Sequence, residues 1–262
     1  MLGFLAVIAC SQPARPRDDE PVRGVRPPVP AVVAAAAAPV DAKVIADAPV
    51  IVDAKVSADA PVSADAPVIV DAPMAWSAER ERLTLAYRTQ HSDPAATDLA
   101  IEPRVIVLHY TSGGSAASTR RYFDNPRVEP SRKLIARAGA VNVSAHFVVD
   151  RDGTIYQLQP PTRFARHCIG LNHIAIGIEN AGDEAKLPLT EAQVAADAAL
   201  VRELARRFPI THLLGHYEVM SFRDHPYYVE RDAAYKNDKP DPGPRFMALV
   251  RARVADLGLR GL

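Results

Sequence analysis

The chain has few cysteines, few aromatic residues and no net charge. Only two of its 262 residues are cysteine, Cys10 and Cys168, which excludes a fold built on several disulfide bonds. Lysine plus arginine and aspartate plus glutamate each total 31, so there is no electrostatic reason to expect nucleic acid as a partner. The apolar stretch at the N-terminus is about nine residues long, whereas a helix that crosses a bilayer needs about 20. This stretch is therefore too short for a transmembrane helix.

The first residues, MLGFLAVIAC, have the composition of an export signal, a short hydrophobic run that ends in a small residue. Val7-Ile8-Ala9-Cys10 resembles the lipobox of bacterial lipoproteins, in which the cysteine is acylated and becomes the new N-terminus. The resemblance implies a lipoprotein-type signal segment over residues 1–10, with lipid on Cys10. We therefore expect an exported protein that is lipid-anchored to the cell envelope, at the outer membrane and facing the periplasm.

A low-complexity segment rich in Ala, Pro, Val and Asp covers residues 11–75. Within it, Asp-Ala recurs with a six-residue period over residues 41–76. A repeat of fixed period can indicate a solenoid. Here the repeat is short, contains no glycine for corners, and usually has proline at its third position, which a sheet interior cannot pair. The composition instead predicts a disordered, semi-extended spacer with a maximum reach of roughly 200 Å between an anchor and a folded domain.

Residues 76–262 alternate between helical and strand patterns. Apolar runs at 104–108 and 174–178 are typical of buried strands. The Asp-Gly pair that ends at Gly153, between two short apolar segments, predicts a hairpin. Thr190, with a glutamine three residues later, predicts a helix that begins with a capping box. Helices interleaved with strands indicate an α/β domain large enough for one substantial core.

Three side chains far apart in the sequence suggest a metal site. His109 ends the apolar run RVIVLHYT, where a sheet holds a side chain still beside a loop that admits substrate. His216 in LLGHYEV and Asp241 in KPDPGP add a second imidazole and a carboxylate. Such a set leaves a fourth zinc position open, as in catalytic sites. The prolines of KPDPGP favour an extended backbone, so Lys239 and Asp241 should point into one site.

The motifs around these residues resemble the zinc-dependent N-acetylmuramoyl-L-alanine amidases of the amidase-2 family, relatives of phage T7 lysozyme and the peptidoglycan recognition proteins. The resemblance covers about residues 105–257 and is carried by VLHYT, SAHFVVDRDGTIYQL, RHCIGLNHIAIGIEN, GHYEV and KPDPGP. It implies a single mixed central sheet flanked by helices, a Zn²⁺ cofactor, and peptidoglycan or muropeptides as substrate. The implied reaction is hydrolysis of the amide between N-acetylmuramic acid and the L-alanine of the stem peptide.

The resemblance also implies roles for individual residues. His109, His216 and Asp241 match the zinc ligands of the family. Glu179 matches the catalytic glutamate of its bacterial members, and Lys239 matches the lysine that stabilises the developing oxyanion.

Three further residues, His146, His167 and Asn172, match positions near the substrate groove of relatives. For each of them a buried residue with satisfied hydrogen bonds is an equally open interpretation. Cys168 is expected to be an unpaired, partly buried thiol. Glu218 is interpreted as a surface residue, with support of the nearby metal-ligating histidine as the alternative.

Two other functions remain possible from the sequence. One is a protein of the same fold that binds peptidoglycan without cutting it; such proteins typically lack a zinc ligand, whereas all three are present here. The other is a zinc peptidase that acts within the stem peptide, which product analysis would distinguish from an amidase.

Overall fold

The computed structural model describes residues 66–262. The expected signal segment, Cys10 and the spacer up to residue 65 lie outside the described residues. Within the described part, none of the helices has both the length and the apolar character needed to cross a membrane.

Residues 66–262 contain six strands and five α-helices. The strands are β1 (Ile69–Asp71), β2 (Val105–Tyr110), β3 (Phe147–Val149), β4 (Ile155–Gln157), β5 (Ala175–Asn180) and β6 (His212–Gly215). The α-helices are α1 (Ala78–His91), α2 (Ala116–Asp124), α3 (Lys133–Arg137), α4 (Glu191–Arg207) and α5 (Pro244–Arg253). Two 3₁₀ helices cover His216–Phe222 and Ala255–Leu257.

The strands form one sheet in the order β1-β4-β3-β5-β2-β6. The pair β3–β4 is antiparallel, and the other neighbouring pairs are parallel. The expected single mixed sheet flanked by helices is therefore confirmed. Strands β5, β2 and β6 lie side by side in parallel, so their carboxyl ends meet at one edge of the sheet.

Alternation along β2 divides its side chains between the two faces of the sheet. Ile106 and Leu108 pack with α4 and α5 in the largest apolar cluster. Val105 and Val107 pack on the opposite face, in a second cluster. His109 has the same parity as this second pair, so it projects from the face opposite α4 and α5.

The local signals for turns and caps are confirmed. Gly153 has φ +89° in the turn between β3 and β4. Thr190 caps α4 through its side chain, and Gln193 completes the capping box.

The predicted boundary between spacer and domain at residue 76 is wrong. Ile69 to Asp71 pair in parallel with β4, and the Ala72 and Met74 N–H groups donate to β4 and to the residue after it over 3.0 Å. The Met74 side chain is only 4% exposed. Without β1, the outer edge of β4 would expose unpaired backbone N–H and C=O groups. The backbone of the last repeat pairs with this edge, and its β-branched residues favour the strand conformation. The folded domain therefore begins before residue 76.

Candidate metal centre and substrate cavity

Three of the predicted site residues lie where the parallel strands end. His109 is the fifth residue of β2 and pairs in register with Glu179 of β5. His216 follows β6 directly and opens a 3₁₀ helix. Because paired residues of a parallel sheet project from the same face, the sheet places the Glu179 carboxyl beside the His109 imidazole.

Asp241 completes a cluster with the two histidines. The Nδ1 atoms of His109 and His216 are 2.9 Å apart, and Asp241 Oδ2 lies 3.2 Å from the first and 3.0 Å from the second. Asp241 belongs to the loop before α5, and its carbonyl oxygen accepts a hydrogen bond from Tyr217 N–H over 2.9 Å. The structure thus brings the three residues together, while their role as metal ligands remains a prediction.

The electrostatics of the cluster suit metal binding. Burial and the neighbouring His216 lower the pKa of His109 to about 4, so the ring is neutral at neutral pH. Burial raises the pKa of the Asp241 carboxyl, but the adjacent imidazoles of His109 and His216 outweigh burial and hold that pKa well below its ordinary value. The cluster therefore offers a neutral imidazole at His109 and a charged carboxylate at Asp241, the protonation states that metal ligands require.

The donor set fits zinc. Two imidazole nitrogens and one carboxylate oxygen are typical ligands of a catalytic zinc ion with one open position. Ligand atoms about 2.0 Å from a tetrahedral zinc ion lie about 3.3 Å from one another. The separations of 2.9 to 3.2 Å in the cluster are close to that value.

Glu179 and Lys239 line the same cavity as the cluster, which has a volume of about 360 Å³. Burial, followed by the charge of Asp241, raises the pKa of Glu179 to about 8, against the opposing effect of Lys239 and Arg132. Among residues 66–262, Glu179 Oε2 is buried without a hydrogen-bond partner. A carboxyl with these properties is suited to exchanging a proton with a molecule in the cavity.

The three residues predicted near the substrate groove have different positions. His146 is fully buried and is not among the residues that line the cavity, a position that fits the alternative interpretation of a buried residue with satisfied hydrogen bonds. Its Nδ1 accepts from Gly177 N–H over 2.9 Å, and its Nε2 lies 2.8 Å from the Arg163 carbonyl oxygen. His167 and Asn172 do line the cavity, although both are mostly buried.

Two smaller expectations need correction. Glu218 is 5% exposed and forms an ion pair with Arg251 at 2.6 Å, so it does not lie on the surface. Its Oε2 also accepts from Gly215 N–H over 2.8 Å, which fixes the start of the 3₁₀ helix that carries His216. Cys168 is a free thiol, as expected, but it is more deeply buried than expected, with only 3% of its surface exposed.

Sequence reasoning missed several residues that line the cavity: Tyr122, Arg132, Arg166, Tyr235 and Asn237. No local motif marks them, because they come from three separate segments. Tyr235 and Asn237 belong to the long segment between His216 and Lys239. The length of this segment was the one sequence feature that could have indicated a contribution to the cavity.

Several contacts attach that long segment to the rest of the domain. Val229 N–H donates to the Gly170 carbonyl oxygen over 2.8 Å. Glu230 Oε1 lies 2.7 Å from His91 Nδ1, and His91 Nε2 lies 2.6 Å from the Ala138 carbonyl oxygen. These contacts hold the segment where its last residues form one wall of the cavity.

Comparison with known proteins gives one family match. The Amidase_2 family, described as N-acetylmuramoyl-L-alanine amidase, matches residues 99–244. No curated protein matches the chain.

Several solved structures are similar to the chain. The endolysin N-acetylmuramoyl-L-alanine amidase LysCS from Clostridium intestinale URNW is 22% identical, with a TM-score of 0.45 over 74% of this chain and 98% of its own. A selenomethionine derivative of AmpD is 25% identical, with a TM-score of 0.43 over 74% and 96%. Human PGRP-IBETAC, solved with glycosamyl muramyl pentapeptide, is 17% identical, with a TM-score of 0.41 over 60% and 90%. The family match spans more than half of the 262 residues. The chain therefore belongs to the N-acetylmuramoyl-L-alanine amidase family, Amidase_2.

Proposed function

We propose that the protein is a peptidoglycan hydrolase that cleaves the amide between N-acetylmuramic acid and the L-alanine of the stem peptide, with Zn²⁺ as cofactor. The observation that carries the proposal is the convergence of His109, His216 and Asp241 beside Glu179 in one cavity. Muropeptides or intact peptidoglycan are the proposed substrates.

The proposed metal-holding residues are His109 Nδ1, His216 Nδ1 and one carboxylate oxygen of Asp241. With Zn²⁺ bound by these three residues, the site would supply a water molecule of lowered pKa and a Lewis acid for the scissile carbonyl group. The sheet fixes His109, and the Glu218–Arg251 ion pair supports the turn that carries His216.

Glu179 is the proposed acid and base. Its pKa of about 8 is close to neutral pH, so both protonation states are populated there; the ionised form can accept a proton from the attacking water, and the protonated form can then give it to the leaving amine. Its unpartnered Oε2 leaves that oxygen without a competing hydrogen bond among residues 66–262.

Lys239 is the proposed electrostatic stabiliser. Its ammonium group lines the cavity near Glu179 and His109, where it can offset negative charge that develops on the carbonyl oxygen. A preorganised charge of this kind typically contributes a few kcal/mol to transition-state stabilisation.

The test is digestion of purified muropeptides by the full chain with Zn²⁺, followed by mass spectrometry of the products and measurement of bound zinc. The expected products are a free stem peptide with L-alanine at its N-terminus and a saccharide with a free lactyl carboxylate. Cleavage inside the stem peptide would indicate a peptidase instead. Binding of muropeptide without cleavage would indicate a recognition protein.

The Glu179→Gln variant tests the proposed role of Glu179 in hydrolysis. We expect this variant to retain zinc and to lose hydrolysis by about 10²- to 10⁴-fold, the usual contribution of a positioned acid–base group. Glu102→Gln is the control, because Glu102 is an exposed carboxylate that precedes β2 at the opposite end of the strand. Full turnover by Glu179→Gln would remove Glu179 from the mechanism.

A further inference from the structure

We propose that His167 is a positioning residue that fixes the tautomer of His109, so that His109 Nδ1 presents its lone pair to the metal. The inference rests on the proposed function for its consequence, but its central claim concerns where one proton lies in the metal-free protein.

A line of hydrogen bonds connects the metal cluster to the backbone of β5. His109 Nε2 lies 3.0 Å from His167 Nδ1, and His167 Nε2 lies 3.2 Å from the Ala175 carbonyl oxygen. The carbonyl oxygen can only accept, so His167 Nε2 must carry a proton. In a neutral ring His167 Nδ1 is then an acceptor, and His109 Nε2 must be the donor. His109 Nδ1 is left without a proton.

The opposite arrangement would require a doubly protonated His167. That ring would donate from Nε2 to the Ala175 carbonyl and from Nδ1 to His109 Nε2. His167 is only 8% exposed, and an imidazolium there would be desolvated between two other imidazoles, His109 and His146. The neutral ring, and with it the single orientation of the hydrogen bonds, is favoured.

Asp241 favours the opposite tautomer of His109, and His167 opposes this effect. Asp241 Oδ2 lies 3.2 Å from His109 Nδ1 and, in the absence of a metal, would draw the proton to that nitrogen. A proton on Nδ1 would block its use as a ligand. The acceptor on His167 stabilises the other tautomer, which is the one that binds a metal.

Two neighbouring residues, Gly177 and Asn172, fix the position of the His167 ring. Gly177 lies inside β5, where glycine lacks a side chain to pack and weakens a strand. A Cβ atom at this position would lie 2.7 Å from His167 Cγ, so only glycine leaves room for the ring against the sheet. Asn172 Oδ1 accepts from the N–H groups of His167 and Cys168, each over 2.9 Å, and holds the backbone that carries the ring.

The first measurement is made on the metal-free wild-type chain. Long-range ¹⁵N–¹H NMR spectra of the histidine rings report which nitrogen of His109 is protonated. We expect Nε2–H and a bare Nδ1. A protonated Nδ1 on His109 would overturn the proposal, whether or not the protein is an amidase.

The second measurement compares zinc affinity, by competition with a chelator, among three variants. His167→Leu removes the acceptor and should weaken zinc binding by about 10- to 100-fold, the usual effect of losing the partner of a metal-binding histidine. His167→Asn places an amide oxygen near the position of Nδ1, so its affinity should stay within a few-fold of wild type. Gly177→Ala displaces the ring without removing it, and we expect an intermediate loss.

The outcomes separate this inference from the proposed function. Unchanged zinc affinity in His167→Leu, or equal losses in His167→Leu and His167→Asn, would overturn the positioning role. If His167→Leu does not fold, the affinity of Gly177→Ala and the wild-type tautomer decide instead. A wild-type chain that binds zinc without cleaving muropeptides would overturn the amidase proposal and leave the role of His167 standing.

Discussion

Asp197 of α4 is a fully buried carboxyl beneath the metal cluster. Asn180 Nδ2 donates to Asp197 Oδ2 over 2.9 Å and to the His109 carbonyl oxygen over 3.3 Å. The other side-chain oxygens of Asp197 and Asn180 are buried without a partner among residues 66–262. Burial raises the pKa of Asp197 to about 7, so a proton on this carboxyl is held into the neutral range.

This raised pKa predicts a pH-dependent stability. The folded state binds the proton more tightly than the unfolded chain, whose carboxyl has an ordinary pKa of 3.8. The stabilising contribution is therefore complete below about pH 4 and is lost as the pH rises towards 7 and above. Asp197→Asn keeps a neutral side chain at every pH. We expect its free energy of unfolding, measured in urea, to match wild type near pH 4 and to exceed it by a few kcal/mol at pH 8. Parallel curves for the two proteins would contradict the buried neutral carboxyl.

Individual residues show what the sequence could and could not predict. His109, His216 and Asp241 were recognised because each belongs to a local motif, and parallel strands then bring two of them to one edge. The sequence left the burial of His146 and Glu218 open, because their hydrogen-bond partners, Arg163 and Arg251, come from other segments of the chain. Burial of a polar side chain depends on such partners, and no local pattern records them.

At the level of elements, β1 shows that a local sequence pattern alone does not determine where a strand forms. The hexapeptide DAPVIV occurs at residues 47–52 and again at 65–70. The second copy supplies Ile69 and Val70 of β1, because it lies within reach of the edge of β4. Identical sequences cannot be distinguished by composition or period, so the repeat alone could not reveal where the folded domain begins. The longer elements were predictable because their patterns are unique in the chain and agree with their caps.

Met74 provides the test of this boundary. Its side chain packs in the apolar cluster that includes Phe123 and Leu158, and truncating a buried methionine to alanine typically costs about 2–5 kcal/mol. We expect Met74→Ala to lower the free energy of unfolding by an amount in this range. Val68→Ala, six residues earlier, is the control, since Val68 is 85% exposed and should change stability by less than about 0.5 kcal/mol. Equal, small effects of both substitutions would return residues 66–75 to the spacer.

For the whole molecule, the proposed cofactor should be coupled to folding. A ligand that binds only the folded state at about 100 times its Kd adds about 2.7 kcal/mol to stability. We expect Zn²⁺ to raise the Tm of metal-free protein and a chelator to reverse the change. His216→Ala should abolish the response. His225→Ala should retain it, because His225 stacks on Phe222 away from the cluster. A Tm that does not respond to zinc in wild type would contradict the metal site.

The whole chain also joins a folded domain to a segment with the pattern of a lipid anchor. We propose that lipid on Cys10 tethers the domain to the membrane and that the spacer lets the domain reach peptidoglycan. In Cys10→Ser no thiol remains at that position to be acylated, so we expect the protein to move from the membrane fraction to the soluble fraction of the envelope. Hydrolysis of soluble muropeptides should not change, because the proposed active site is built from residues after 104. Cys168→Ser is the matched control: that thiol is 3% exposed inside the domain, and its loss should leave the protein with the membrane. Persistent membrane retention of Cys10→Ser would show that another feature of the chain holds it there.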